Sequence, residues 1–112
     1  MIYEVSTTRA AGTARWTQTT ALDGTDYVLA FDWLGRLSRW CLHLRDGDGA
    51  AIRTGIILNA GAFLLRGLVD PRRPAGELLV VDRTGRLDAD PGFEDLGSRF
   101  ALVYVDAAEL GR

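Results

Sequence analysis

A chain of 112 residues has room for one hydrophobic core and no second one. Its hydrophobic share of 47% and charged share of 25% are ordinary globular values and exclude a disordered chain. A net charge of −2 argues against nucleic-acid binding, which needs a cationic surplus to displace phosphate counterions.

Every basic residue is arginine, and Cys41 is the one cysteine, so no internal disulfide and no thiolate metal site is expected. Met1-Ile2-Tyr3-Glu4 has neither the basic nor the apolar region of a signal peptide. The longest uncharged stretch, Thr54 to Leu65, is too short for a bilayer, which takes about 20 residues. The expectation is a protein made in a cytoplasm, with no membrane partner, no direct nucleic-acid partner, no metal and no cofactor.

In chain order, Ile2 to Val5 is short and alternating and reads as an edge strand. Trp16 precedes the polar, threonine-rich segment Thr17–Thr20, where an exposed aromatic would suit an anchor for a neighbouring subunit. From Asp26 to Trp33, Tyr27, Leu29, Phe31 and Trp33 face one way while Asp26, Ala30 and Asp32 face the other. From Arg39 to Arg45, Trp40, Leu42 and Leu44 alternate with Cys41, His43 and Arg45. Such period-two patterns predict half-buried antiparallel strands. Asp23-Gly24, Asp46-Gly47 and Asp48-Gly49 stand where hairpin turns belong.

Ala51 to Leu58 predicts a further strand with Gly55 at a bulge. Ala62 to Leu65 reads as a helical turn or as a bend that packs Phe63 into the core. Pro71-Arg72-Arg73-Pro74 reads as a stiff, exposed loop. Leu78-Leu79-Val80-Val81, inside Glu77 to Asp82, is a nearly continuous apolar run suited to burial on both faces, and Ala101 to Val105 makes a last strand. About seven short strands predict an all-β domain over 1–112, a small antiparallel barrel or sandwich, with 1–15 as N-terminal strand and extension.

The constellations that carry chemistry are thin. His43 and Cys41 lie two residues apart on one strand face, and no orienting carboxylate completes a triad with them in the sequence. Asp46-Gly47-Asp48-Gly49 has calcium-loop spacing at its start, but Ala50 and Ile57 stand at the later ligand positions, so a hairpin turn is the reading. No glycine spacing makes a phosphate cradle. No enzyme is expected. Arg66, Arg72 and Arg73 are candidates to dock on acidic patches of a partner. Ile2, Tyr3 and Val5 are candidates to add to a neighbour's sheet edge.

Taken in order, these pieces resemble the baseplate plug family of contractile-tailed bacteriophages. The resemblance runs from Ile2-Tyr3-Glu4-Val5 through Leu22-Asp23-Gly24 with Tyr27, Phe31-Asp32-Trp33 and Trp40-x-Leu42-x-Leu44 into Asp46-Gly47-Asp48-Gly49. It continues through Thr54-Gly55-Ile56, Gly61-Ala62-Phe63-Leu64-Leu65 and Gly76-Glu77-Leu78-Leu79-Val80-Val81-Asp82 to Phe93-Glu94-Asp95-Leu96-Gly97 and Leu102-Val103-Tyr104. Each piece is a strand or a turn, and the weight lies in their order. Gln18–Thr20 is more polar than the family's pattern, and Ala10–Arg15 looks like an added stretch. The resemblance implies a structural subunit of the virion tail, joining hub, spike and tail tube. It implies multiple copies in a threefold or sixfold arrangement, with hub, tube and further plug subunits as partners. A stand-alone small β-barrel that binds a ligand or a protein is the competing expectation.

Overall fold

A computed structural model describes residues 1–86 and 88–111. It contains seven strands and no helix among the described residues: β1 (Ile2–Glu4), β2 (Arg15–Leu22), β3 (Thr25–Leu34), β4 (Arg39–Asp46), β5 (Ala51–Ile57), β6 (Glu77–Asp82) and β7 (Phe100–Val105). They form two antiparallel sheets, β2-β3-β4-β5 and β1-β7-β6, facing each other across one core. The sheets do not close, so the sandwich alternative holds and the barrel does not.

The four-stranded sheet follows from its alternation and its turns. Leu22 pairs Thr25 across a two-residue loop in which Asp23 and Gly24 have φ of 52° and 77°, the mirror-image turn that matches strand twist. Tyr27, Leu29, Phe31, Trp40, Leu42 and Leu44 then fall on one face and are buried, as their period requires. Facing them from the second sheet are Leu78, Val80, Phe100, Leu102 and Tyr104.

The β5 irregularity lies where glycine stands. Leu42 pairs Ile56 and Leu44 pairs Arg53, so His43 alone opposes Thr54 and Gly55. Gly55 has φ 74°, a backbone shape that a side chain strains. The Nδ1 of His43 accepts the Gly55 N–H at 3.1 Å and so closes the bulge.

Several expectations need correction. Thr17–Thr20 is the middle of a regular strand, β2, in full register with β3. The 60–65 segment is a bend, and Phe63 is 46% exposed while Leu65 is the residue buried. Leu64 N–H bonds Leu78 O and Gly61 N–H bonds Val80 O, so this bend covers the β6 edge. Pro71–Pro74 is only half a surface loop, since Pro74 is buried and Arg73 is drawn inward.

Candidate interaction surface

Arginine 73 is a structural staple. Its guanidinium donates to the carbonyls of Pro74 (2.9 Å), Leu65 (2.8 Å), Leu68 (3.1 Å) and Gly76 (2.8 Å), and lies 3.6 Å from the buried Glu77 carboxylate. Glu77 in turn accepts the Leu65 N–H at 3.0 Å. The long loop between β5 and β6 is therefore tied to the sheet through one buried ion pair.

Arg72 is more exposed and binds Asp70 (2.9 Å), Asp46 (3.2 Å) and the Ala51 carbonyl (3.0 Å). Only Arg66, exposed and with no ion pair among the described residues, has its charge uncommitted. The three arginines thus do not form one patch.

At the N-terminus, Ile2, Tyr3 and Glu4 pair Val105, Tyr104 and Val103 of the same chain. Tyr3 packs on Tyr104 with ring centroids 5.6 Å apart. Val5 is 2% exposed, a core residue with its N–H on the Leu102 carbonyl, so it presents no side chain to a neighbour. Ile2 stays 57% exposed. The Met1 amine is held by Asp106 (2.6 Å) and Glu109 (3.1 Å).

Trp16 is not an exposed aromatic either. It stacks on Phe31 at 4.3 Å, meets Trp40 edge-on at 5.3 Å, and donates its indole N–H to Gln18. Gln18, which the sequence reading passed over as merely polar, is 7% exposed and fully satisfied. Its oxygen accepts from Trp16 and the Thr8 N–H, and its amide donates to Ser6 O and Thr20 Oγ. One buried amide so fastens the 6–8 segment beneath β2, which explains a polar residue in this strand. The nearby Arg9 lies over Phe93 (4.6 Å) and Trp40 (5.2 Å), with its Nε on the Thr13 carbonyl.

The Cys41–His43 pair acquires a carboxylate in three dimensions. Asp32 Oδ2 lies 3.5 Å from His43 Nε2, and Cys41 Sγ lies 3.9 Å from the same nitrogen. A relay needs the nucleophile on one ring nitrogen and the carboxylate on the other, and here Nδ1 is taken by the Gly55 bulge. Burial also pushes the Cys41 thiol up, away from the thiolate. Asp32 is held below the ordinary carboxylate range, mainly by Arg15 at 2.7 Å. Arg15, Asp32 and His43, but not Cys41, line a depression of about 370 Å³ on the outer face of β2–β5.

Asp46 forms the β4–β5 turn by accepting the N–H groups of Asp48 (3.0 Å) and Ala50 (2.9 Å). Those bonds, the Ala50 one first, lower its pKa. Among the described residues no group of three or more acidic, histidine or cysteine side chains is arranged to hold a metal ion. No helix among them is long and apolar enough to cross a membrane.

The outer faces of the two sheets differ in kind. That of β2–β5 carries Arg15, Thr17, Thr19, Asp26, Asp32, His43 and Arg45. That of β1-β7-β6 carries, by strand alternation, the exposed Ile2 and the half-buried Leu79, Val81 and Val103, beside the buried Ala101 and Val105 and the Glu4–Arg83 ion pair, with Phe63 bridged to Leu79 at its margin. The run Leu78–Val81 announced burial on both faces; Leu78 and Val80 are fully buried, while Leu79 and Val81 on the other face are only half-buried. That half-covered, largely apolar face has its signal in the sequence, the lost alternation in β6 and β7.

No curated protein matches the chain. A family model described as "Cyanophage baseplate Pam3 plug gp18" matches residues 9–107, nearly the whole sandwich. The order of turns and strands, the packing and this match agree, and the chain belongs to the phage baseplate plug family, a structural part of the virion tail baseplate.

Proposed function

We propose that the chain is a non-enzymatic plug subunit seated between tail tube and hub or spike, present in several copies and held there by its surfaces alone. The observation that supports this reading is the half-covered row of apolar side chains on the outer face of β1-β7-β6, Leu79, Val81 and Val103 with the exposed Ile2 and Phe63 at its margins, in a family whose members are baseplate parts. A contiguous apolar patch on a small soluble domain costs free energy until a partner removes it from water. Ile2, with Tyr3 behind it, sits at the rim of that face, and Arg66 supplies the one uncommitted charge of the three arginines. Hub, tube and sister subunits are the partners, in threefold or sixfold array, and assembly in the host cytoplasm precedes incorporation into the virion.

Quantitative mass spectrometry of purified tail particles, with tube and hub proteins as internal standards, tests the reading. A fixed number of copies per tail in a multiple of three is the expected result. Absence from the particle would refute it and leave the stand-alone binding module as the alternative.

A further inference from the structure

A sandwich of two open sheets has four strand edges, and three of them are covered, broken or short. The β6 edge is covered by the 60–64 bend, through the Gly61 and Leu64 bonds and the Phe63–Leu79 bridge. The β5 edge is broken by the Gly55 bulge. The β1 edge has only three residues. The β2 edge is different: eight residues, no glycine, no proline and no bulge. Natural proteins guard such an edge or use it.

Which β2 groups are free follows from the ladder. Trp33 N–H bonds the Ala14 carbonyl at 2.8 Å, so Arg15 and Asp32 are a non-hydrogen-bonded pair. Counting on, Trp16, Gln18, Thr20 and Leu22 spend their backbone groups on β3. Arg15, Thr17, Thr19 and Ala21 direct theirs outward. Of these, only the Ala21 carbonyl has a partner among the described residues, the Tyr3 hydroxyl at 3.3 Å. Arg15, Thr17 and Thr19 are also exposed.

We propose that the β2 edge pairs antiparallel with β2 of a second copy about a twofold axis at Gln18, joining two four-stranded sheets into one of eight strands. In this register Thr17 lies opposite Thr19 of the second copy, and Arg15 opposite Ala21. All four outward residues are then used, threonine meets threonine, and no like charges are opposed. The register also supplies charge complementarity. Ala21 pairs Asp26 on β3, and Asp26 is exposed with no cation partner among the described residues. Strands lie about 4.8 Å apart, so Arg15 of the second copy, which in the single chain pairs with its own Asp32 at 2.7 Å, exchanges that carboxylate for Asp26 across the small Ala21 side chain. The same contact forms twice by symmetry. The inference goes beyond the plug reading and concerns the free chain: neighbours in a threefold or sixfold ring meet through unlike surfaces, so this twofold contact belongs to the chain before incorporation, and absence from tail particles would leave it standing.

The test is hydrogen–deuterium exchange and sedimentation of the purified full chain over a concentration series. The expected result is a dimer whose formation slows exchange at the Thr17 and Thr19 amides, while the β3-bonded amides are protected throughout. Thr19→Pro removes only an outward N–H, so the dimer should be lost with melting behaviour little changed. Asp26→Arg, at an exposed site without an ion pair, should weaken the dimer roughly fivefold or more at low salt. That variant keeps the test open if the proline variant fails to fold. A chain that stays monomeric throughout overturns the proposal. So does a dimer with unprotected Thr17 and Thr19 amides, or protection that appears only when another baseplate protein is added.

Discussion

Two adjacent arginines that look alike in the sequence do opposite things. Arg73 donates to four loop carbonyls and faces a buried carboxylate, so truncation leaves those acceptors and the Glu77 charge without a partner. Arg73→Ala should cost about 3 kcal/mol or more in denaturant unfolding, the range for breaking a buried pair. Arg72→Ala should change the unfolding midpoint far less than Arg73→Ala, because its ion pairs are solvent-screened. A combined charge reversal at Arg72 and Arg73 would therefore confuse unfolding with lost docking, and Arg66 is the cleaner site for a docking test. The carboxylates make an acid-side prediction. Asp82 is held far below its usual range, chiefly by the Arg99 guanidinium at 2.7 Å and then by Thr84. A depressed folded-state value contributes stability above the unfolded pKa of about 4 and loses it as pH falls below that. Melting temperature should drop on acidification below about pH 4, and less steeply in Asp82→Asn. At the alkaline end the sign reverses. Burial, then Asp23 at 2.5 Å, raises the Tyr104 hydroxyl, so stability should fall as pH climbs above about 10.

At the scale of elements, the short strand β1 shows how position changes the meaning of a motif. Its alternation marks an edge strand, and it is one, but its partner is β7 of its own chain, with Val5 locked in the core behind it. Removing residues 1–6 should therefore lower the stability of the whole domain, measurable as a fall in melting temperature, rather than leave a folded but unincorporated protein. Bulge and histidine form a second unit. His43→Ala leaves the Gly55 N–H without its acceptor and should cost about 1 kcal/mol, and Gly55→Ala about 1–2 kcal/mol from its positive φ. Both are checked by urea unfolding. Gly76 is a third such point, for a Cβ there would strike the Val105 carbonyl and the Tyr104 hydroxyl, which accepts the Gly76 N–H at 2.7 Å.

For the whole molecule, the two outer faces differ in composition: that of β2–β5 is mixed and rich in charged and threonine side chains, and that of β1-β7-β6 is mainly aliphatic. Val103→Lys should leave the fold intact, since its side chain points away from the core, while reducing incorporation into tail particles. Circular dichroism and particle composition read the two effects separately. The local signals settled a great deal by themselves. Period-two runs placed β3 and β4 within a residue of their ends, because side chains on a pleated strand alternate between core and water, and apolar runs bounded by turn residues placed β5, β6 and β7 as closely. Aspartate-glycine pairs marked the β2–β3 and β4–β5 hairpins, because few residues other than these adopt the backbone those turns need. The sequence alone also carried the family, through the order of its turns and strands. What it could not carry was anything set by contacts between distant residues. β2 was hidden because its inward polar residue, Gln18, needs Ser6 and Thr8 from outside the strand to complete its hydrogen bonds. Arg73 became a staple only when the loop closed around it, and Trp16 became core only when Phe31 and Trp40 met it. Which face of β6 and β7 would remain half-covered was likewise decided by packing, since two apolar faces look the same until one of them finds the other sheet.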